Sequence, residues 1–309
     1  MHYLITGGAG FIGSNIVEEL VRRGEKVRVL ANFATGKREN IDAFRNKVEL
    51  IEGDIRDYAL TKKAMEGVEV VLHQAAIPSV PRSVADPLTS NEVNVTGTLN
   101  VLHAAREAGV RRVVNASSSS VYGDSPQLPK HEQMPTDPLS PYAVSKLAAE
   151  RYCSVFWNVY RLETVSLRYF NVFGPRQDPT SQYSAVIPKF IVAMNRDESP
   201  VIYGDGEQSR DFTYVANVVE ANLLAAQADC QPGLAMNCAC HERITLKELV
   251  ERINSLLHKS IKPTFASERP GDIKHSYADI TLAGKKLGYK PQINFVSGLS
   301  RTVDWYLQK

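Results

Sequence analysis

Tyr142 and Lys146 stand four residues apart in the run Tyr142-Ala-Val-Ser-Lys146. On a helix that spacing puts both side chains on one face. An ammonium beside a phenol favours phenolate, which draws the tyrosine below its ordinary value of about 10. The pair therefore reads as a general base able to work near neutral pH. Upstream, Ala116-Ser117-Ser118-Ser119-Ser120-Val121-Tyr122-Gly123 follows an apolar run. A hydroxyl in that block is placed to hold a reacting oxygen beside Tyr142. Tyrosine–lysine spacings also arise by chance on surface helices, and serine-rich turns are common. A third motif gives the first two their weight.

That motif is Thr6-Gly7-Gly8-Ala9-Gly10-Phe11-Ile12-Gly13. It follows a strand-like run and opens a helical one, the context a dinucleotide loop requires. Gly7 allows the tight turn, Gly10 lets the backbone approach a pyrophosphate, and Gly13 lets helix and strand pack closely. The helix start supplies amide donors and dipole to the phosphates. A bound oxidised nicotinamide would add positive charge and lower the Tyr142 phenol further. The acidic residue that usually closes the second strand is missing, and Ala31-Asn32-Phe33 stands there instead. Asn32 and backbone amides then hold the ribose of NAD. Lys37 and Arg38 lie close enough to meet a 2′-phosphate, so NADP stays open. Asp54-Ile55 is placed beside adenine.

These residues need a sheet to carry them. Strands are expected at Tyr3–Thr6, Lys26–Leu30, Val48–Glu52, Val68–His73, Val113–Ala116 and Thr164–Arg168. Helices are expected at Phe11–Arg23, Leu60–Met65, Asn91–Ala108 and Tyr142–Tyr160. That alternation predicts α/β architecture with a doubly wound parallel Rossmann sheet. Further helices are expected at Ile187–Asn195, Val215–Ala226 and Leu246–Leu257. The composition changes near Gly174. The expected division is a dinucleotide-binding domain over 1–173 plus about 212–239. A smaller, mixed α/β substrate domain takes 174–211 plus about 240–309.

The 309 residues suffice for one large core or two unequal ones. With 43% hydrophobic residues, 23% charged residues and a net charge of +2, no general attraction to nucleic acid or acidic membrane follows. No leader pattern and no apolar run of spanning length is read, so a cytoplasmic setting with free thiols is expected. Cys238-Ala-Cys240-His241 lacks zinc spacing and a second pair of ligands, and reads as packing at a strand end rather than a metal site.

Together the glycine loop, the serine block, Tyr142/Lys146 and Arg168-Tyr169-Phe170-Asn171 resemble the extended short-chain dehydrogenases/reductases. The resemblance covers essentially the whole chain. It is closest to the UDP-hexose 4-epimerases, and within them to bacterial UDP-N-acetylglucosamine 4-epimerases. Phe170–Pro179, Ala185–Phe190, Tyr203–Tyr214 and Arg269–Asp279 carry the closer match. The resemblance implies Ser118, Tyr142 and Lys146 as catalytic residues. For the cofactor it implies Gly7, Gly10, Phe11, Ile12, Gly13, Asn32, Thr35, Gly36, Asp54, Ile55, Gln74, Ala75, Ala76, Asn94 and Tyr169 besides Tyr142 and Lys146. For the sugar and its carrier it implies Ser79, Ser118, Ser119, Tyr142, Asn171, Gln177 and Ala185. Val186 and Tyr203 would flank the uracil, Arg210 and Arg269 grip the phosphates, Asp272 take the ribose, and Ser276 set the room for the sugar.

The activity so implied is reversible oxidation of the sugar at C4 by tightly bound NAD, with return of the hydride to the opposite face. Relatives that dehydrate or decarboxylate carry an acid just before Val-Tyr-Gly, where this chain has Ser118-Ser119-Ser120. A small Ser276 and Ala185 imply space for an N-acetyl group, while Pro78 stiffens a neighbouring loop and favours plain hexoses. Activity on both sugar pairs is expected. The alternatives are a plain UDP-glucose 4-epimerase, a UDP-uronic acid 4-epimerase or a dehydratase, and a non-catalytic nucleotide-sugar sensor. Relatives dimerise through helices corresponding to Asn91–Ala108 and Tyr142–Tyr160 in a four-helix bundle. Leu99, Leu102, Leu147 and Phe156 are the apolar residues considered for that seam, with their own core as the competing destination.

Overall fold

Strands in the interior of a parallel sheet are covered on both faces, so nearly every residue along them is buried. Five such strands are β1 (His2–Thr6), β2 (Lys26–Ala31), β4 (Val70–His73), β5 (Arg112–Ser118) and β6 (Glu163–Tyr169). The edge strand β3 (Glu49–Glu52) is less covered. The computed structural model describes residues 1–180, 186–267 and 274–308. Among the described residues, Leu234–Cys238 adds a seventh strand. The order is Leu234–Cys238, β6, β5, β4, β1, β2, β3, and every neighbouring pair is parallel.

The order reverses between β1 and β4, and ligands of such sheets bind beyond the strand ends at that point. Both sheet faces are covered by helices. On one face α1 (Phe11–Arg22) contributes Ile16, Val17 and Leu20 to a shared core. On the other lie α2 (Tyr58–Ala64), α5 (Gly97–Glu107) and α6 (Pro141–Tyr160), with Ala64, Val101, Leu102, Cys153 and Phe156 packed inward. Two short helices, α3 (Val80–Ala85) and α4 (Pro87–Asn91), precede α5.

The remaining helices are α7 (Val186–Asn195), α8 (Val215–Gln227), α9 (Leu246–Leu257), α10 (Thr281–Leu287) and α11 (Phe295–Leu307). Helix α8 joins the first core through Val218 and Leu223. Helices α7, α9 and α11 build a separate apolar cluster around Ile191, Ile253 and Leu299. Short paired strands edge it. Val201–Tyr203 runs parallel to Thr264–Ala266, and Ser209–Arg210 antiparallel to Ile244–Thr245. No described helix is long and apolar enough to cross a membrane.

Several expectations need correction. The helix expected at Asn91–Ala108 begins earlier, at Pro87, because the Asp86 side chain caps it by accepting from Thr89 N (3.0 Å). It is also interrupted by a π-turn at Glu92–Thr96. Strand β5 runs on to Ser118, so the first two serines of the block are strand residues. Leu102 and Phe156 face their own core, fully and almost fully buried, and do not form an outer seam. Leu99 packs partly against the same cluster, and Leu147 against Val121, Tyr122 and Phe170. The exposed apolar residues on α6 are Val144, Val155, Val159 and Tyr160. All four cysteines are buried and free, with Cys238 closing its strand.

Candidate active site

The glycine turn sits at the end of β1. Gly7 has φ +68°, and a side chain there would put its Cβ 2.7 Å from Ala75 N, so the turn lies flat against the segment after β4. At Gly13 a Cβ would stand 2.3 Å from the Gly7 carbonyl oxygen, so α1 rests directly on the turn. Gly10 caps the helix and donates from its N–H to Gly7 O (2.9 Å). Phe11, Ile12 and Gly13 form the first turn of α1, the donor end of the helix. This cradle of backbone and amides suits a diphosphate.

Lys37 N–H and the Asn40 amide both donate to Ala9 O (3.0 and 2.9 Å), which draws Thr35 and Gly36 against the turn. Asn32 Nδ2 donates to Asp54 Oδ2 (2.8 Å), so the two residues expected around adenosine are joined. Arg56 grips the same carboxylate and, with lesser help from Asn32, holds it down at about 2. Asp54 and Arg56 line a cleft of about 500 Å³ with Asp57, Glu92 and Thr96, and Ile55 is buried beside them. Glu52, in register with Ala31, binds Arg38 at 2.7 Å. Lys37 pairs with Asp178 at 3.5 Å. The two cations considered for a 2′-phosphate are thus engaged by carboxylates, an arrangement that suits NAD.

Tyr142 lies in the first turn of α6, behind the cap Ser140 and Pro141. Its N–H donates to Ser83 Oγ (3.0 Å), which ties α3 to the start of α6. Lys146 is one turn on. Its Nζ donates to Ala116 O (2.8 Å) and stands 6.0 Å from the Tyr142 ring centroid. Ser118 ends β5 and accepts from Ser120 N (3.2 Å) and Ser120 Oγ (2.9 Å). With two bonds accepted, the Ser118 proton remains to be donated. Ser119 opens the short 3₁₀ turn that follows.

The expected electrostatics of this pair need correction. Burial pushes the Tyr142 phenol up, and the Ser118 hydroxyl is the group that pulls it down. Burial also brings Lys146 down to about 8, partly offset by Glu150.

The neighbouring cofactor candidates are bonded to one another. Gln74 Oε1 accepts from Tyr169 OH (3.2 Å), and Gln74 Nε2 donates to Asn222 Oδ1 of α8 (3.0 Å). Ala75 N donates to Thr6 Oγ1 (3.3 Å), and Ala76 follows it towards the α3 loop. Asn94, in the π-turn, accepts from Ile77 N (2.8 Å) and donates to Ser145 Oγ (3.0 Å).

Two residues beyond β6, Asn171 has φ +35°, and its amide donates to Asp211 O (3.3 Å). Such a backbone is uncommon for a side-chain-bearing residue and is found where local geometry is over-determined. Gln177 Nε2 donates to Val172 O (3.1 Å). Val186 opens α7, and Tyr203 ends its strand with a carbonyl that accepts from Gln208. Arg210 Nη1 donates to Lys274 O (3.0 Å), and Ser276 N donates to Ser209 O (3.0 Å), which brings Arg210 and Ser276 to one edge. Buried Asp211 pins that edge by accepting from Cys240 N (2.9 Å), His241 N (3.1 Å) and Ala278 N (3.2 Å). Ser79 caps α3 by accepting from Arg82 N (3.2 Å), and Pro78 before it is exposed. Ala185, Arg269 and Asp272 lie outside the described residues.

Residues 3–239 match the NAD dependent epimerase/dehydratase family. The chain belongs to this family. A UDP-N-acetylglucosamine 4-epimerase from Methanobrevibacter ruminantium, solved with UDP-N-acetylmuramic acid, is 43% identical with TM-score 0.95, over 99% of this chain and 98% of that one. Thermus thermophilus UDP-glucose 4-epimerase, solved with NAD, is 39% identical with TM-score 0.90, over 99% of each chain. The UDP-glucose 4-epimerase of Mycolicibacterium smegmatis is 38% identical over all of this chain and 99% of its own.

As an NAD-dependent family member, the chain carries polar groups around the site that single motifs do not reveal. His73 is buried between Thr6 Oγ1 (2.7 Å) and Thr98 Oγ1 (2.9 Å). Glu150 and Arg168 form a buried pair behind Lys146. Glu150 does carry a sequence signal, since it repeats the four-residue step from Tyr142 through Lys146 along one helix face. Its partner on β6 is given only by the fold.

Proposed function

We propose that this enzyme interconverts UDP-hexoses at C4, and that it takes UDP-N-acetylglucosamine and UDP-N-acetylgalactosamine in preference while also accepting UDP-glucose and UDP-galactose. The 4-epimerase reading is supported by three relatives of nearly the same length whose names carry that activity. The sugar preference rests on one observation. Ser276, a small and half-buried residue, is held by its own N–H on Ser209 O, next to Arg210. A small residue there leaves volume for an N-acetyl group.

In this reading the cradle at Gly7, Gly10, Phe11, Ile12 and Gly13 holds the NAD diphosphate, and Asn32, Asp54 and Ile55 hold its adenosine. Thr35, Gly36, Gln74, Ala75, Ala76, Asn94 and Tyr169 complete the wall. Bound NAD supplies a reversible acceptor for the electron pair at C4. Tyr142 takes the 4-hydroxyl proton and later returns it, and Ser118 donates to the same oxygen. Lys146 keeps positive charge near the phenolate. Arg210, with Arg269, would anchor the diphosphate as charge-assisted donors. Asn171, Gln177, Ser79, Ser119, Ala185, Val186, Tyr203, Asp272 and Ser276 would surround the sugar and uridine. The dinucleotide half is 1–173 with about 212–239, and the sugar half is the rest. Two copies pair through α5 and α6.

Exposed Pro78 favours a second reading, a plain UDP-glucose 4-epimerase, because it stiffens the loop before Ser79. One experiment separates the two. Purified protein is assayed with UDP-N-acetylglucosamine and with UDP-glucose, and its released cofactor is identified by mass spectrometry. Turnover of both sugars, faster with the N-acetyl one, and release of NAD are expected. Turnover of UDP-glucose alone would overturn the Ser276 reading.

A further inference from the structure

Lys146 and Glu150 lie one turn apart on α6 and reach consecutive residues of β5. Lys146 Nζ donates to Ala116 O (2.8 Å), and Glu150 Oε1 accepts the Ser117 hydroxyl (2.5 Å). Both Glu150 oxygens are also taken by Arg168 of β6, through Nε and Nη2 at 2.8 Å each. The two side chains are 4% and 5% exposed. The guanidinium lies 4.7 Å over the Tyr122 ring, and the Tyr122 hydroxyl donates to Asn237 Oδ1 (2.7 Å). Buried pairs of this kind are expensive to desolvate, and apolar replacements are often as stable. Stability alone therefore gives little reason for this pair, whereas its place behind Lys146 does.

We infer that Glu150, fixed by Arg168 and Ser117, is a positioning residue that keeps Lys146 protonated and aligned for work with Tyr142. The inference rests on the proposed use of Tyr142 as the base. Burial lowers the Lys146 ammonium, and the Glu150 carboxylate opposes that shift. The other titratable groups around α6 do not substitute for it. His73 on β4 is held neutral, down at about 3. Tyr122 and Cys153 are each pushed up to about 12 by burial, and Tyr169 on β6 is raised as well. Glu132 faces Asn237 and Arg168 and not the lysine. Without Glu150, the buried ammonium has no anion beside it among these groups.

The test titrates Lys146 itself in the NAD-bound protein, by side-chain nitrogen NMR with labelled lysine. Its signal is identified by loss in Lys146→Met. Glu150→Gln removes the anion but leaves Arg168 charged, and Glu150→Gln/Arg168→Met removes both charges. Both variants are expected to move the Lys146 midpoint down by about one pH unit, the single variant further. Glu150→Asp is expected to recover most of it. The basic limb of UDP-sugar turnover should move with the midpoint, as a loss of kcat with KM held. A folded variant with an unchanged midpoint overturns the inference. So does failure of the single and the double variant alike to fold, since the pair would then be a structural one. Absence of turnover in the unaltered protein would sink the epimerase reading, while the titration would still decide the role of Glu150.

Discussion

At the scale of residues, the site is a set of buried polar groups whose charge states depend on what they touch. His73 is held down at about 3 because burial penalises its cation and Lys146 repels it. An unfolded histidine titrates near 6.5. The depressed folded value means the native state refuses a proton that the unfolded state accepts. The His73 contribution is therefore complete above about pH 6.5 and is lost as pH falls towards about 3, at roughly 1.4 kcal/mol per pH unit. His73→Gln keeps a polar side chain without titrating. Denaturant unfolding from pH 6.5 to 5 should show the unaltered protein losing about 2 kcal/mol relative to His73→Gln. Parallel stability curves would mean that water reaches the imidazole. The motif residues were legible at this scale because a four-residue step places Tyr142 and Lys146 on one helix face whatever the fold. The partners were not. Nothing in local spacing joins Glu150 to Arg168, His73 to Thr98, or Tyr169 to Asn222, because these contacts span separate strands and helices.

At the scale of elements, the contact that matters most is α1 resting on the glycine turn. Gly13→Ala would drive its Cβ into the Gly7 carbonyl, and both groups belong to backbone that cannot rotate away. The helix must then shift. A stability loss of about 1–3 kcal/mol is expected, the range for forced overpacking. Purified protein should carry less NAD, read by extraction and absorbance. Full NAD content would show that the turn tolerates a displaced helix. Six of the seven strands were readable because Val, Ile and Leu runs have few other destinations in a chain of this length. Leu234-Ala-Met-Asn-Cys238 was missed because Ala and Asn have weak strand preference, and its place is decided by pairing with β6. Strand β5 was cut short for a similar reason, since serines mark turns more often than sheet interiors. The π-turn at Glu92–Thr96 has no signature in spacing, yet it carries Asn94 to Ile77 and Ser145.

At the scale of the whole molecule, the described chain builds one apolar region on the sheet with α1 and α8 and another from α7, α9 and α11. Segment 174–180 is tied to the first of them, with Asn15 Nδ2 on Pro175 O (3.2 Å), Arg176 on Glu18 (2.7 Å) and Lys37 on Asp178. The proposed dimer is a question for the outer surface. Leu102 and Phe156 are committed to the interior, while Val155 and Val159 are 46% and 62% exposed one turn apart on α6. Val155→Asp/Val159→Asp should weaken association at least about tenfold in sedimentation equilibrium, because two carboxylates would enter an apolar seam. An unchanged dimer would place the interface on another face. The four cysteines have a use beyond packing. Burial raises the thiol of each, to about 12 for Cys153 and Cys240, and the reactive form of a thiol is the thiolate. Slow labelling of all four by maleimides is therefore the expected outcome for the native chain, checked by counting adducts in intact-mass spectra before and after unfolding. A single exposed position such as Leu88→Cys, 77% exposed on α4, becomes an address for one dye or one spin label without prior removal of the natural thiols.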